Sequence, residues 1–138
     1  MPLARVQISQ DKAEFVKALR ESDSSNSPFQ TYADILLFAG IVGFYNNRRV
    51  SLGTFSRKDP DPVPQDQFKE KQVIDLVAVS DALDLSLLLR DDESDTRRIA
   101  IFQEYVNGGL EILQHQLSAA VDYTDLLLLN LKAVREQG

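Results

Sequence analysis

Apolar positions along the chain fall into blocks with helical spacing, separated by polar or proline-rich breaks. Arg5-Val6-Gln7-Ile8-Ser9 alternates polar and apolar residues, the period of a short strand with one buried face. Ser9 then stands as N-cap of a helix predicted over 10–21, in which Phe15, Val16 and Leu19 form one stripe. Asp11 and Glu14 sit in its first turn, where the helix dipole favours acids. Residues 22–29, rich in serine and carrying Pro28, predict a loop. Thr31-Tyr32-Ala33-Asp34 has the spacing of a capping box, with Asp in place of Glu or Gln. It opens a second helix whose Ile35, Leu36, Leu37, Phe38, Ala39, Ile41 and Val42 cover every side. A helix apolar all round belongs among neighbours, and Ala39, Gly40 and Gly43 would let another backbone approach closely. The stretch 31–43 is therefore the expected centre of the core.

Asn46-Asn47, Gly53 and three prolines between 60 and 64 predict an irregular connector over about 45–64. Loops longer than about 12–15 residues are uncommon unless mobile or functional, so the connector is either a candidate site or a flexible tether. A third helix is predicted from near Asp66 to Ala82, carrying Phe68, Val73, Ile74, Val77 and Ala78; residues 84–89 either extend it or form a separate short helix. A fourth over 94–106 is expected to end at Asn107-Gly108-Gly109, residues suited to a helix C-terminus. A fifth follows from Leu110 to Val121 and a sixth over 123–136, where Leu126 to Leu129, Leu131 and Val134 give a wide apolar arc. That arc would pack on the second helix or on a second copy, leaving a homodimer open. The fold class is mainly α: one domain, 1–138, a compact bundle of about five to six helices around a buried central helix, with a short N-terminal strand.

Composition narrows the chemistry. The chain has 138 residues, 43% hydrophobic and 26% charged, with no Cys and one His. That excludes disulfides, a Cys nucleophile, thiolate zinc sites and multi-histidine metal centres. No apolar run approaches the roughly 20 residues of a membrane span, and MPLARVQIS lacks the features of a signal peptide, so a cytoplasmic protein with no membrane partner is expected. Between Asp81 and Asp95 acids cluster, but a calcium loop begun at Asp91 would place Thr96 where Gly is needed and Phe102 where Glu is needed. Gly108-Gly109 lacks the surrounding pattern of a nucleotide loop. His115, one turn from Glu111, reads as a surface pair rather than a general base. No catalytic residue, cofactor or metal is assigned.

The net charge of −6 is unevenly spread. Residues 1–72 hold ten Lys and Arg against nine acids, while 73–138 hold five against twelve. Arg48, Arg49, Arg57 and Lys58 form the basic cluster, in the connector. They are the candidate contact to DNA or to a partner protein, against the alternative that they pair with the acidic second half.

Three segments carry a resemblance: Thr31-Tyr32-Ala33-Asp34 with its apolar continuation, Gly43-Phe44-Tyr45-Asn46-Asn47-Arg48-Arg49-Val50, and Phe102-Gln103-Glu104-Tyr105-Val106-Asn107-Gly108-Gly109-Leu110-Glu111-Ile112-Leu113. Together they resemble the fourth class of Dnd-system-associated proteins, small bacterial proteins linked to DNA phosphorothioation, in which sulfur replaces a non-bridging oxygen of the DNA backbone. The match spans about Val6 to Leu117; Val106 and Gln103 stand where that class has Ala and Glu. The resemblance implies a part in a modification or restriction defence system and supplies no catalytic residue. The expected function is a non-enzymatic accessory protein that contacts other proteins of the system and, through the basic cluster, locally DNA. The alternative is a dimeric ribbon-helix-helix-like transcriptional regulator, in which 5–9 would pair with the same strand of a second copy.

Overall fold

The computed structural model describes residues 4–21, 31–56 and 60–117. The alternating N-terminus forms β1, Arg5–Val6, which pairs antiparallel with β2, Val63–Pro64, in register Arg5 to Pro64 and Val6 to Val63. Val6 and Val63 point into the core. This pairing lies within one chain, and the Gln7 amide beyond it donates to Gln103 Oε1 at 2.9 Å. The strand is thus occupied by its own chain, which removes the exposed ribbon that the ribbon-helix-helix alternative requires.

A single 3-10 turn, Gln10–Lys12, leads into α1, Ala13–Glu21, whose Phe15, Val16 and Leu19 are buried as their spacing predicts. Ser9 makes no capping bond to the helix; its hydroxyl donates to the Asp11 carboxylate instead. α2, Tyr32–Tyr45, starts where the capping sequence predicts, with Thr31 Oγ1 accepting from the Asp34 amide at 3.1 Å. Ala33, Ile35, Leu36, Ala39, Gly40 and Gly43 are buried, but burial does not extend all round: Ile41 and Tyr45 are exposed on the outer side.

The main correction concerns Asn107-Gly108-Gly109. The predicted fourth and fifth helices are one, α4, running unbroken from Asp92 to Leu117. Neither glycine has a positive φ; both serve close approach. A Cβ on Gly109 would overlap the Ala39 carbonyl, one on Gly43 the Tyr105 carbonyl, and one on Gly108 the Arg48 carbonyl. α2 and α4 thus meet backbone to backbone, at a separation only residues without side chains permit. Phe102 packs under this crossing and meets Phe68 edge-on at 5.8 Å between centroids.

α3, Lys71–Ala82, begins later than predicted. A 3-10 turn over Gln65–Gln67 ends at Phe68, whose extended backbone turns its ring into the core against Phe102. Leu85–Leu88 is a separate 3-10 turn, so the described residues hold four α-helices rather than five or six. The predicted sixth helix lies outside the described residues. The described part of the connector is no free tether: it ends in β2, and Gln10 donates its amide to Thr54 O at 2.6 Å, Ser56 to Ile8 O at 2.7 Å and Val50 to Glu104 O at 3.0 Å. None of the described helices is long and apolar enough to cross a membrane.

Candidate functional site

Arg48 and Arg49 follow the end of α2, where Asn47 takes a left-handed conformation and the Arg48 amide donates to Gly43 O at 2.8 Å. That turn lays the next residues along α4. Asn107 Nδ2 donates to the Val50 and Ser51 carbonyls, each at 3.3 Å, and fixes the strand-like segment there. The two arginines then face the chain's own acids. Arg48 pairs with Glu111; Arg49 donates through Nε to Glu104 at 2.7 Å and through Nη1 to Asp81 at 2.5 Å. Burial alone would lower Arg49, but the Glu104 hydrogen bond and the Asp81 charge outweigh it and hold it above the usual arginine value. The Tyr105 hydroxyl donates to the other Asp81 oxygen at 2.5 Å; burial, then that bond, pushes the phenol up to about 12. Of the four basic residues, the structure brings Arg48 and Arg49 together on α4, while Arg57 and Lys58 lie outside the described residues.

Two of the acids between 81 and 95 cap helical turns. Asp84 caps the Leu85–Leu88 turn by accepting from the Ser86 amide at 2.9 Å, and Asp91 starts α4 by accepting from the Ser94 amide at 2.8 Å. The Ser86 hydroxyl, which also donates to Asp84 at 2.7 Å, and then its amide hold the Asp84 carboxyl below its usual range, and the Ser94 amide does the same for Asp91. Among the described residues no three His, Cys, Asp or Glu side chains converge as a metal site. His115 is exposed near the end of α4, and Glu111 one turn before it accepts from Arg48.

A second arginine is organised differently. Arg98 is 1% exposed, and its guanidinium holds the returning chain: Nη1 donates to the Leu87 carbonyl and to Leu89 O at 2.7 Å, Nη2 donates to Asp95, and Nε lies 3.3 Å from Asp75. Burial, then the nearby Arg90 charge, lowers Arg98 against the pull of Asp75 and Asp91. Arg90 grips Asp75 with both amino groups, at 2.8 and 3.4 Å. A cavity of about 380 Å³ borders these residues, but its Asp75, Arg90, Asp95 and Arg98 are already paired with one another. A hollow of about 440 Å³ on the other side has Lys12 paired with Asp11 at 3.0 Å and Glu111 with Arg48. Neither presents an uncompensated charge cluster to a small ligand.

These arginines instead display an apolar surface. The chain leaves α3 through Leu83, returns along the Leu85–Leu88 turn, and is brought back to the level of residue 75 by the Asp75–Arg90 pair. Leu87 turns inward and is fully buried, while five leucines stay outside: Leu76 is 65% exposed, Leu83 87%, Leu85 73%, Leu88 43% and Leu89 57%. Leu76 lies on the outer side of α3 and Leu83 follows the helix's last residue, seven positions on; Leu85 and Leu88 are three apart and share a 3-10 face. Leu83 is left-handed, with φ 54°, a conformation that costs a residue with a Cβ about 1–2 kcal/mol. Exposed as it is, little packing within the chain offsets that cost.

The family described as DNA sulphur modification system-associated protein 4 matches residues 5–138. The chain belongs to that family. No curated protein and no solved structure matches it. The segment Phe102 to Leu113, which carried the resemblance most specifically, is explained by packing. Phe102 and Tyr105 are core, Glu104 and Glu111 hold the two arginines, and Asn107 fixes 50–51. Gly108 and Gly109 admit two neighbouring carbonyls. What sequence reasoning missed is the leucine surface. Its signal was present in Leu83-Asp84-Leu85-Ser86-Leu87-Leu88-Leu89, a run too short for a second amphipathic helix and too apolar for a solvated turn.

Proposed function

We propose that this chain is a non-enzymatic accessory protein of a DNA sulphur modification system, and that it works by holding another protein of that system on its leucine surface. The observation that carries the reading is the set of five leucines, 43–87% exposed, on a backbone fixed by the Arg98 and Arg90 ion pairs. Contiguous exposed apolar patches on soluble proteins mark interaction sites. The membership in a system-associated family supports partners from that system. The engagement of Arg48 and Arg49 with Glu111, Glu104 and Asp81 favours protein over DNA, because a phosphate would have to displace carboxylates already in place. Arg57 and Lys58 remain the candidate DNA contact in the connector.

The test is co-purification of the tagged chain from its host after nuclease treatment, with identification of the recovered proteins. Recovery of named sulphur modification proteins by wild type, and its loss in a Leu85→Ser/Leu88→Ser variant that retains its helical circular dichroism, is the expected result. Recovery that nuclease abolishes, or that the leucine variant leaves intact, overturns the reading.

A further inference from the structure

We infer that the leucine surface receives a basic amphipathic helix of the partner protein; this rests on the reading of that surface as a docking site. The first argument is shape. The surface is made by the outer face of α3 and the 3-10 turn beside it, and β1 and β2 contribute no residue to it. From Leu76 to Leu83 is about 10 Å along the helix axis, roughly two turns, the span over which a docked helix sets anchors at i, i+3 or i+4, and i+7.

The second argument is charge. Asp84, Asp91, Asp92 and Glu93 border the leucines, and of the arginines beside them Arg90 is paired with Asp75 and Arg97 faces Asp84, which leaves Asp91, Asp92 and Glu93 as the excess charge. Asp84 and Asp91 are held ionised by their capping bonds, and the Arg97 guanidinium stands off Asp84 at 3.7 Å. Asp92 and Glu93 make no ion pair among the described residues and sit exposed in the first turn of α4. An acidic rim around an apolar centre selects a partner with Lys or Arg flanking its apolar stripe and repels acidic ones. It repels nucleic acid equally. A second copy is disfavoured, because a two-fold contact would crowd the same acids into one interface on a chain of net charge −6. Residues 118–138 are also a poor match, with Asp122, Asp125 and Glu136 against Lys132 and Arg135.

The third argument is Leu83 itself. Glycine or asparagine normally occupies a left-handed position after a helix, and a leucine there, 87% exposed, is displayed at a conformational cost. Burial under a partner helix offsets that cost.

The test titrates the full chain with two labelled synthetic helical peptides that share one leucine stripe, one with Lys and one with Glu on its polar face, read by fluorescence anisotropy. The Lys peptide is expected to bind at least tenfold more tightly and to weaken with salt. Leu85→Ser/Leu88→Ser should abolish binding and Asp92→Asn/Glu93→Gln should weaken it severalfold. Leu83→Gly should weaken it severalfold with no loss of melting temperature, which separates docking from folding. Equal binding of both peptides, absence of binding, or indifference to the leucine variants overturns the inference. Sedimentation that shows leucine-dependent self-association assigns the face to a second copy and also overturns it. If sulphur modification proteins still co-purify in a leucine-dependent way, only the partner's chemistry is wrong; if wild type recovers none, the docking reading itself fails.

Discussion

The crossing of α2 and α4 and the leucine surface beyond α3 use backbone geometry in opposite ways. At the crossing, Gly43, Gly108 and Gly109 have no side chain, and neighbouring carbonyls occupy the space a Cβ would need. At the surface, Leu83 has a large side chain in a conformation that favours glycine, and its neighbours leave it in solvent. The first arrangement minimises volume to close the chain on itself. The second holds apolar volume away from the core, with two arginines fixing the backbone that presents it. One region is closed within the chain; the other is the surface for which we propose a partner.

The sharpest way to break this contrast is to add a methyl group at the crossing. Gly109→Ala should destabilise the protein by about 3 kcal/mol or more, since the obstruction is backbone and cannot swing away. Thermal melting should fall by roughly 10 °C. Gly53→Ala, where nothing lies within 4 Å, should stay within about 0.5 kcal/mol of wild type. Next in size is Arg98→Met, which strips the Leu87 and Leu89 carbonyls and Asp95 of their shared donor. A loss of about 2–3 kcal/mol is expected in urea unfolding, and Arg98→Lys should restore little, because one ammonium cannot reproduce the guanidinium fork.

Tyr105→Phe sharpens the account of the Arg49–Asp81–Tyr105 group with a smaller effect, about 1 kcal/mol at neutral pH. The pH dependence has a definite sign. The folded phenol titrates near 12 and an unfolded one near about 10, so its contribution is complete below about pH 10 and is lost as pH rises through 12. Wild type should therefore lose stability in that window, measured by denaturant titration at each pH, and the Phe variant should lack this part of the decline.

Much of the fold was legible because it depends on local rules. Thr31 caps α2, Phe15, Val16 and Leu19 share a face, and Ala39 and Gly43 lie against the α4 backbone, as their types and spacing dictate, while Gly40 makes room for the Phe102 ring rather than for a backbone. The errors arise where one residue type serves two physical purposes. Glycine in Asn107-Gly108-Gly109 was read as conformational freedom, yet α4 continues through it because the same absence of Cβ allows contact with Ala39 and Arg48. Phe68 was read as part of a helix and instead leaves it to reach Phe102. For Arg48 and Arg49, the rival reading, pairing with acids of the second half, describes where their side chains go. The run Leu83 to Leu89 signalled an unusual apolar stretch, but which of its leucines stay outside depends on Arg90 and Arg98 returning the chain along α3, a tertiary arrangement that the run itself does not encode.

The central claim is that residues 76–89 are shaped for a partner rather than for the chain's own stability, and Leu83→Gly isolates it. Removing the left-handed cost of about 1–2 kcal/mol, less the roughly 0.5–1 kcal/mol of extra freedom that glycine gives the unfolded chain, leaves the variant between neutral and about 1.5 kcal/mol more stable. Measured side by side on the same preparation, its melting temperature should hold or rise by a few degrees while recovery of sulphur modification proteins falls. A variant that melts lower, or that holds its partner as well as wild type, would contradict the account.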